Sequence, residues 1–378
     1  MKRAEDVITF KEFKQRFNDN VLPEIQKNIK NNLQNKEWEL CKKYQFKFWM
    51  LILGSLLFFL SMIILSILFI NFKLWKNSSY LKYFLLSLTI LFLIGGITTS
   101  VLANKFNNLK KSKIYNLSDN IKKILEDIHI FEPTIKCLNK KWDFLGKWHT
   151  PTNTNISFDF NNFRFYDNAY LFYKPKEIAE SPILNYRSSL ETMIVDDKYP
   201  IYFSNVTYEY EPLIKSIVSD SLSSKGNKIW HATLMQIDIS NLQKNKRTDF
   251  NLFKTISQFA YKPISLENKE FNKVFNVVSN DELKMNMIFT PLVQENLLTL
   301  YNENLKLNNL NEKNIYFTAV DDVITISFIS SLNFLKIKLP KKIKSPENLI
   351  NKTIDNILKD AYLLYFVISL FYVPVYLY

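Results

Sequence analysis

Glycine is scarce in this 378-residue chain, which contains only Gly54, Gly95, Gly96, Gly146 and Gly226. A phosphate-cradling loop needs clustered glycines so that backbone N–H groups can close on the ligand. Three of the five fall inside apolar runs and two stand alone, which excludes dinucleotide-binding and Walker-type sites. Cysteine is rarer still. Cys41 and Cys137 lie far apart and form neither a disulfide framework nor a zinc site. Cys41, seven residues before the first apolar run, is compatible with lipidation, but an ordinary reduced thiol is the plainer reading. The histidines His129, His149 and His231 show no metal-ligand spacing, and no GxSxG elbow occurs.

Adjacent carboxylates occur at Asp196-Asp197 and Asp321-Asp322. Neighbours on a strand point to opposite faces, and both pairs fall where turns are expected, so they read as turn residues. Asn280-Asp281 reads as a helix start. No catalytic, cofactor-binding or metal-ligating residue is assigned, and no cofactor is expected.

What the chain does have is two uncharged apolar runs, Phe48–Phe72 and Tyr83–Asn104, of 25 and 22 residues. A bilayer core about 30 Å thick takes roughly 20 helical residues to cross, so a two-span hairpin is predicted. The runs carry no ionisable group, which disfavours transport or a proton relay. The start, Met1-Lys2-Arg3 followed by acidic and polar residues, has no short apolar core or cleavage site, so the first run reads as a span rather than a signal peptide. Residues 30–47 and 105–122 carry five lysines each, against three in the connector 73–82. That bias predicts both termini in the cytoplasm and a short external loop around Asn77-Ser78.

Net charge is +13 and unevenly placed. Residues 1–129 hold 20 Lys/Arg against 10 Asp/Glu, and residues 130–378 hold 29 against 26. A nucleic-acid binder would carry its basic patch on the folded domain, so nucleic acid is disfavoured and the lipid bilayer is the expected partner. Lysine outnumbers arginine 44 to 5, with few glycines and alanines, which reads as an AT-rich genome. The wealth of Asn and Phe is discounted as a functional signal for the same reason.

Phe10, Phe13, Phe17, Val21, Ile25, Ile29 and Leu33 recur at helical spacing, with Pro23 expected to begin or kink a segment. A second stripe runs through Phe106, Leu109, Leu117, Ile121, Leu125 and Ile128, and the two stripes are expected to pair as a stalk. From about Phe131 the pattern turns to strands, expected at Ile156–Phe160, Phe163–Tyr173, Thr192–Val195, Ile201–Phe203, Ile229–Ile239, Phe271–Val278, Ile315–Val320, Val323–Ile329 and Phe334–Leu339. Residues 241–255 read as a loop. A helix is expected from Thr290 as N-cap with Pro291 in the first turn. The C-terminal stretch begins as an amphipathic helix and ends in eighteen uncharged residues, Ala361–Tyr378. Interrupted by Pro374, it reads as a core helix in preference to a third span.

The expected fold class is an α+β membrane protein. Its parts are an amphipathic segment (1–47), a span (48–72), an external loop (73–82), a second span (83–104), a stalk helix (105–130) and a mainly antiparallel α+β domain (131–378). The segment Leu266–Tyr301 resembles the most characteristic stretch of a bacterial domain-of-unknown-function family of two-span membrane proteins. The resemblance is carried by Leu266, Glu267, Glu270, Phe271, Phe275, Val277, Asp281, Thr290, Pro291 and Leu297. It extends from Phe10 to about Phe371, and the apolar ending FYVPVYLY departs from it. The resemblance implies the same layout and brings no functional residues. The expected role is a non-enzymatic binding or scaffolding module on the cytoplasmic face of the plasma membrane, with a protein partner or self-association. A surface-exposed protein of inverted topology and a membrane-tethered enzyme are the alternatives.

Overall fold

The computed structural model describes residues 7–32, 36–72, 79–147, 183–187, 191–210, 228–244, 247–253, 263–307, 315–320, 322–329, 334–340 and 343–377. The strands expected at Ile156–Phe160 and Phe163–Tyr173 lie outside these residues, as do His149 and Asp321. The chain divides into two units: residues 26–127 with 339–352, and residues 1–25 with 128–338 and 353–378.

Helix α1 (Phe10–Asn20) opens with a reciprocal cap. The Thr9 hydroxyl accepts from the Glu12 N–H at 3.3 Å, and the Glu12 carboxylate accepts from the Thr9 N–H at 3.0 Å. The helix stops at Val21, and α2 (Leu22–Asn32) takes Pro23 in its first turn, where the missing N–H costs no helical bond. The predicted stripe is therefore two helices. The first unit is dominated by α3 (Lys36–Phe72) and α4 (Ser79–Asp127), which pack as a hairpin. Both continue well beyond the apolar runs, and the amphipathic continuation of α4 runs beside the start of α3. The first stripe is divided: Ile29 shares this unit with α4, while the residues up to Ile25 belong to the second unit. Phe13 and Phe17 of α1 are fully buried in the second unit, where Phe13 stacks on Tyr362 with ring centroids 6.1 Å apart.

The second unit contains α5 (Phe131–Leu138) and β1 (Trp142–Lys147), then β2 (Ile183–Arg187), β3 (Glu191–Val195), β4 (Tyr199–Tyr210), β5 (Lys228–Asp238) and β6 (Phe250–Phe253). There follow α6 (Lys269–Val274), β7 (Asn276–Val278), α7 (Glu282–Ile288), α8 (Pro291–Lys306), β8 (Ile315–Val320) and β9 (Val323–Ile329). The last helix, α9 (Pro346–Leu377), begins in the first unit and joins the second from Thr353.

Among the described residues the strands form one antiparallel sheet in the order β1-β3-β4-β5-β9-β8-β6-β7, with β2 also paired to β4. Its register sorts the side chains by face. Phe203, Met235, Ile326, Phe317 and Leu252 are successive partners across β4, β5, β9, β8 and β6. Ile201, Ile237, Ile324, Ala319 and Phe250 form the next row on that face, and all ten are buried. Each large apolar side chain buried this way contributes about 1.5–3 kcal/mol. The opposite face carries the row Tyr202, Gln236, Thr325, Thr318 and Asn251. The alternation that marks a strand in sequence therefore separates an apolar face from a polar one.

Helix α9 covers the apolar face. Phe371 meets Tyr199 edge-on at 5.5 Å, Tyr365 meets Trp142 at 5.6 Å, and Phe366 meets Tyr301 of α8 at 6.1 Å. Every residue from Ala361 to Pro374 is buried, so this stretch is apolar around its whole circumference because it is enclosed on all sides. The Ser345 hydroxyl caps its start, accepting from the Asn348 N–H at 3.0 Å.

The structure corrects three expectations. Residues 241–255 are not all loop: Phe250–Phe253 is a strand between β7 and β8. Phe271–Val278 is not a single strand. The Asn268 side chain caps Glu270 and Phe271 and starts α6, leaving only Asn276–Val278 extended. Phe334–Leu339 forms no strand, because its main-chain groups bond to side chains instead. The Phe334 carbonyl accepts from Asn205 at 2.9 Å, and the Leu335 N–H, at φ 53°, donates to Asp360 at 3.0 Å.

Two hydrogen-bonded clusters tie distant segments together. The Tyr362 hydroxyl donates to the Glu303 carboxylate of α8 and lies 3.0 Å from the Ile8 carbonyl. Glu303 also accepts from the Phe10 N–H at 2.9 Å, and the Ile8 N–H donates to the Tyr365 hydroxyl at 3.2 Å. Burial, reinforced by the neighbouring Glu303 carboxylate, pushes the Tyr362 hydroxyl well above the ordinary tyrosine value, so it stays a neutral donor. In the second cluster Asp360 binds Lys338 at 2.5 Å besides the Leu335 N–H. Burial raises the Asp360 carboxyl above its ordinary value; Lys338 and the two hydrogen bonds offset this only in part.

Tyr362→Phe removes the hydroxyl that joins Ile8, Glu303 and α9, and is expected to cost about 1–3 kcal/mol. Thermal unfolding of the full chain in detergent, followed by near-ultraviolet circular dichroism, checks it. Asp360→Asn retains an acceptor for Leu335 but no longer titrates. A carboxyl raised in the folded state destabilises the fold as pH climbs above its unfolded value near 3.8. Upward from there, the melting temperature of Asp360→Asn is expected to gain steadily on that of the parent.

Candidate functional site

Helices α3 and α4 meet along a register that side-chain contacts fix from end to end. Glu37 reaches Lys113 at 3.8 Å, the Cys41 thiol faces the Lys110 carbonyl at 3.7 Å, and the Tyr44 and Phe106 rings lie 6.0 Å apart. In the apolar section the Ser55 hydroxyl lies 2.7 Å from that of Ser100 and 3.3 Å from the Gly96 carbonyl. The absence of a side chain at Gly95 and Gly96 permits this approach. A Cβ added at either would stand 3.2 Å from the ring of Phe58 or Phe59 respectively. Small residues and a shared hydroxyl hydrogen bond are what hold helices together in lipid, where apolar burial offers no driving force.

The outer surface of the hairpin is apolar. Leu53, Leu57, Leu60, Ile64 and Ile67 on α3 and Phe84, Leu91, Ile94 and Ile97 on α4 are all exposed. Trp49 stands at one end of this belt and Tyr80 with Tyr83 at the other, the arrangement favoured at the two boundaries of a bilayer. Among the described residues three helices are long and apolar enough to cross a membrane, but burial separates them. Only 6% of the most apolar window is buried in α3 and in α4, against 89% in α9. The apolar surface of α3 and α4 has no protein cover among the described residues, and that of α9 is already used.

The residues singled out in the sequence have local structural roles. Asp196 and Asp197 both adopt positive φ in the turn between β3 and β4. The Asp196 carboxylate accepts from the Tyr372 hydroxyl at 3.1 Å. Burial, with Asp196 adding to it, pushes that hydroxyl up. Asp281 caps α7 through the Lys284 N–H at 2.9 Å, and Thr290 caps α8, as its sequence predicts. Asp322 pairs with Arg247, which also donates to the carbonyls of Leu242 at 2.7 Å and Ser240 at 2.5 Å. His129 occupies a left-handed turn before α5, and His231 lies on β5 opposite Thr207. Cys41 and Cys137 are both buried, and burial raises the Cys137 thiol. Among the described residues no three His, Cys, Asp or Glu side chains gather as a metal site.

One cavity of about 30 Å³ lies between the apolar sheet face and α9, lined by Phe250, Phe317, Ile324, Leu370 and Phe371. It has room for about one water, far below the several hundred Å³ of a small-molecule site. Arg247 stands at its edge with its donors engaged as above, so the guanidinium acts there as a clamp on the loop. Sequence reading could not find Glu303, Arg247, Asp360 or Tyr362, because each acquires its role from a partner distant in the chain.

These features define a hairpin of two helices long and apolar enough to cross a membrane, and an antiparallel sheet domain built around a buried apolar helix. Residues 227–370, from β5 through most of α9, match a family described as a protein of unknown function, DUF3137. No curated protein matches the chain, and no solved structure matches it.

The hairpin register predicts that a Ser55→Cys/Ser100→Cys pair forms a disulfide on mild oxidation in membranes, read as loss of both maleimide-reactive thiols. A Leu56→Cys/Ser100→Cys pair, facing away, is expected to stay reduced.

Proposed function

We propose that this chain is a membrane-anchored, non-catalytic binding module, with the α3–α4 hairpin crossing the plasma membrane of a bacterium and the sheet domain on the cytoplasmic side. The observation that carries the reading is the exposed apolar belt of the hairpin, bounded by Trp49 and by Tyr80 and Tyr83. Each helix crosses about 30 Å of hydrocarbon with its apolar section. The lysine bias of ten against three supports an orientation with the flanks 30–47 and 105–122 inside and the connector 73–82 outside. The sheet domain then meets cytosolic partners, by protein–protein contact or by self-association, and the hairpin confines that contact to the membrane plane.

Because Cys41 and Cys137 are buried, they contribute little labelling in the folded chain. Ser78→Cys reports on the connector, and Lys198→Cys on the exposed turn between β3 and β4. In intact cells a membrane-impermeant maleimide is expected to modify Ser78→Cys alone, with Lys198→Cys reacting only after permeabilisation. The reverse pattern supports a surface protein of opposite orientation and overturns the proposal.

A further inference from the structure

From Leu40 to Ser118 the chain contains no aspartate or glutamate. The hairpin concentrates the lysines of this stretch. The contacts of Cys41 with Lys110 and of Tyr44 with Phe106 set residues 42–47 of α3 beside residues 105–111 of α4. At that level stand Lys42, Lys43, Lys47, Lys105, Lys110 and Lys111, next to the apolar sections that start at Phe48 and finish at Asn104. Lys110 is half-buried and the other five are exposed.

Along α3 the carboxylates next to this stretch in sequence are Glu37 and Glu39, on its side away from the apolar section. Glu37 is engaged by Lys113 at 3.8 Å. Lys47 lies 5.2 Å from the centroid of the Phe106 ring, a contact that holds the ammonium without neutralising it. Six ammonium groups are thus held within about 8 Å along α3, and a similar length of α4, at 1.5 Å rise per residue. Like charges so close together repel, which favours the binding of an anion.

Resting on the reading that the hairpin spans the bilayer, we propose that this collar is a binding surface for anionic phospholipids. The ligand is a phosphodiester headgroup lacking a compensating ammonium, taken from the leaflet on the side of the sheet domain. The geometry favours a lipid over a soluble anion. The collar is continuous with the exposed apolar belt through Phe46 and Trp49, so acyl chain and headgroup are engaged together.

The test reconstitutes the full chain in phosphatidylcholine vesicles containing spin-labelled phosphatidylglycerol or spin-labelled phosphatidylcholine. Electron spin resonance then measures the lipid held motionally restricted at the protein. At low salt the parent is expected to prefer phosphatidylglycerol about three- to tenfold, the scale of one interfacial lysine–headgroup contact. Replacing the six lysines with glutamine is expected to bring the preference near parity, while replacing them with arginine retains it.

Equal restriction of both lipids by the parent overturns the collar proposal and leaves the spanning hairpin intact. No restricted component for either lipid overturns the spanning reading itself. Loss of the preference in inorganic phosphate, but not in chloride of equal ionic strength, identifies a soluble anion as the ligand and overturns the assignment to lipid.

Discussion

A helix apolar around its whole circumference cannot rest on a surface; it must be covered on every side. The stretch Ala361–Pro374 imposes that constraint on the second unit, and its packing answers it. The sheet offers the face bearing Phe317, Ile324, Ile326 and Met235. The aromatic residues Trp142, Tyr199 and Tyr301 close the flanks, and α1 contributes Phe10 and Phe13 around Tyr362. The tyrosines of α9 add direction to this burial. Tyr362, Tyr365 and Tyr372 each place a hydroxyl against a polar group of a different segment, at Glu303, Ile8 and Asp196. Apolar area supplies most of the stabilisation, and these hydroxyls fix which segment lies where.

The same physics gives opposite outcomes for helices that are all long and apolar enough to cross a membrane. In α3 and α4 the polar atoms of the apolar section turn inward to each other, as Ser55 does with Ser100, or back onto their own helix, as Ser61 and Thr99 do. Their outer faces then present no unsatisfied side-chain hydroxyl, since even the exposed Ser87 and Thr98 bond back to their own helix. In α9 Ser369 also bonds back, to the Tyr365 carbonyl, but the tyrosine hydroxyls reach out to the rest of the domain. What separates the two cases is burial, 6% of the apolar window in α3 and α4 against 89% in α9.

Much of the architecture was legible from local pattern. Two uncharged runs announce the hairpin, Thr290-Pro291 announces α8, and the alternation around Asp321-Asp322 announces β8 and β9. What failed is equally local in cause. Phe271 and Phe275 fit a strand by alternation, but they are also one helical turn apart, and the Asn268 cap decided for helix. Phe334–Leu339 has strand composition, but Asn205 and Asp360 claim its main-chain groups. Phe250–Phe253 is a strand only because β7 and β8 flank it. The stripe through Phe13 and Phe17 was correctly read as helical, but its α1 part packs in the second unit against Tyr362, since periodicity marks a face without naming what it meets. The buried cluster of Glu303, Tyr362 and Ile8 leaves no sequence signature, because its members are ordinary residues that lie 59 to 354 positions apart along the chain in their bonded pairs.

The position of α9 after all the described strands that it covers has a consequence for biosynthesis. Domains generally fold as units and in order of emergence. Here the first residues of the domain, Ile8 and Phe10, bond to side chains supplied by Glu303, Tyr362 and Tyr365. The sheet and α1 therefore remain without their central packing element until the chain has been made as far as α9. The two apolar runs emerge long before that. On the reading that they span a bilayer, they are free to enter it first, and the domain then assembles on a chain already anchored.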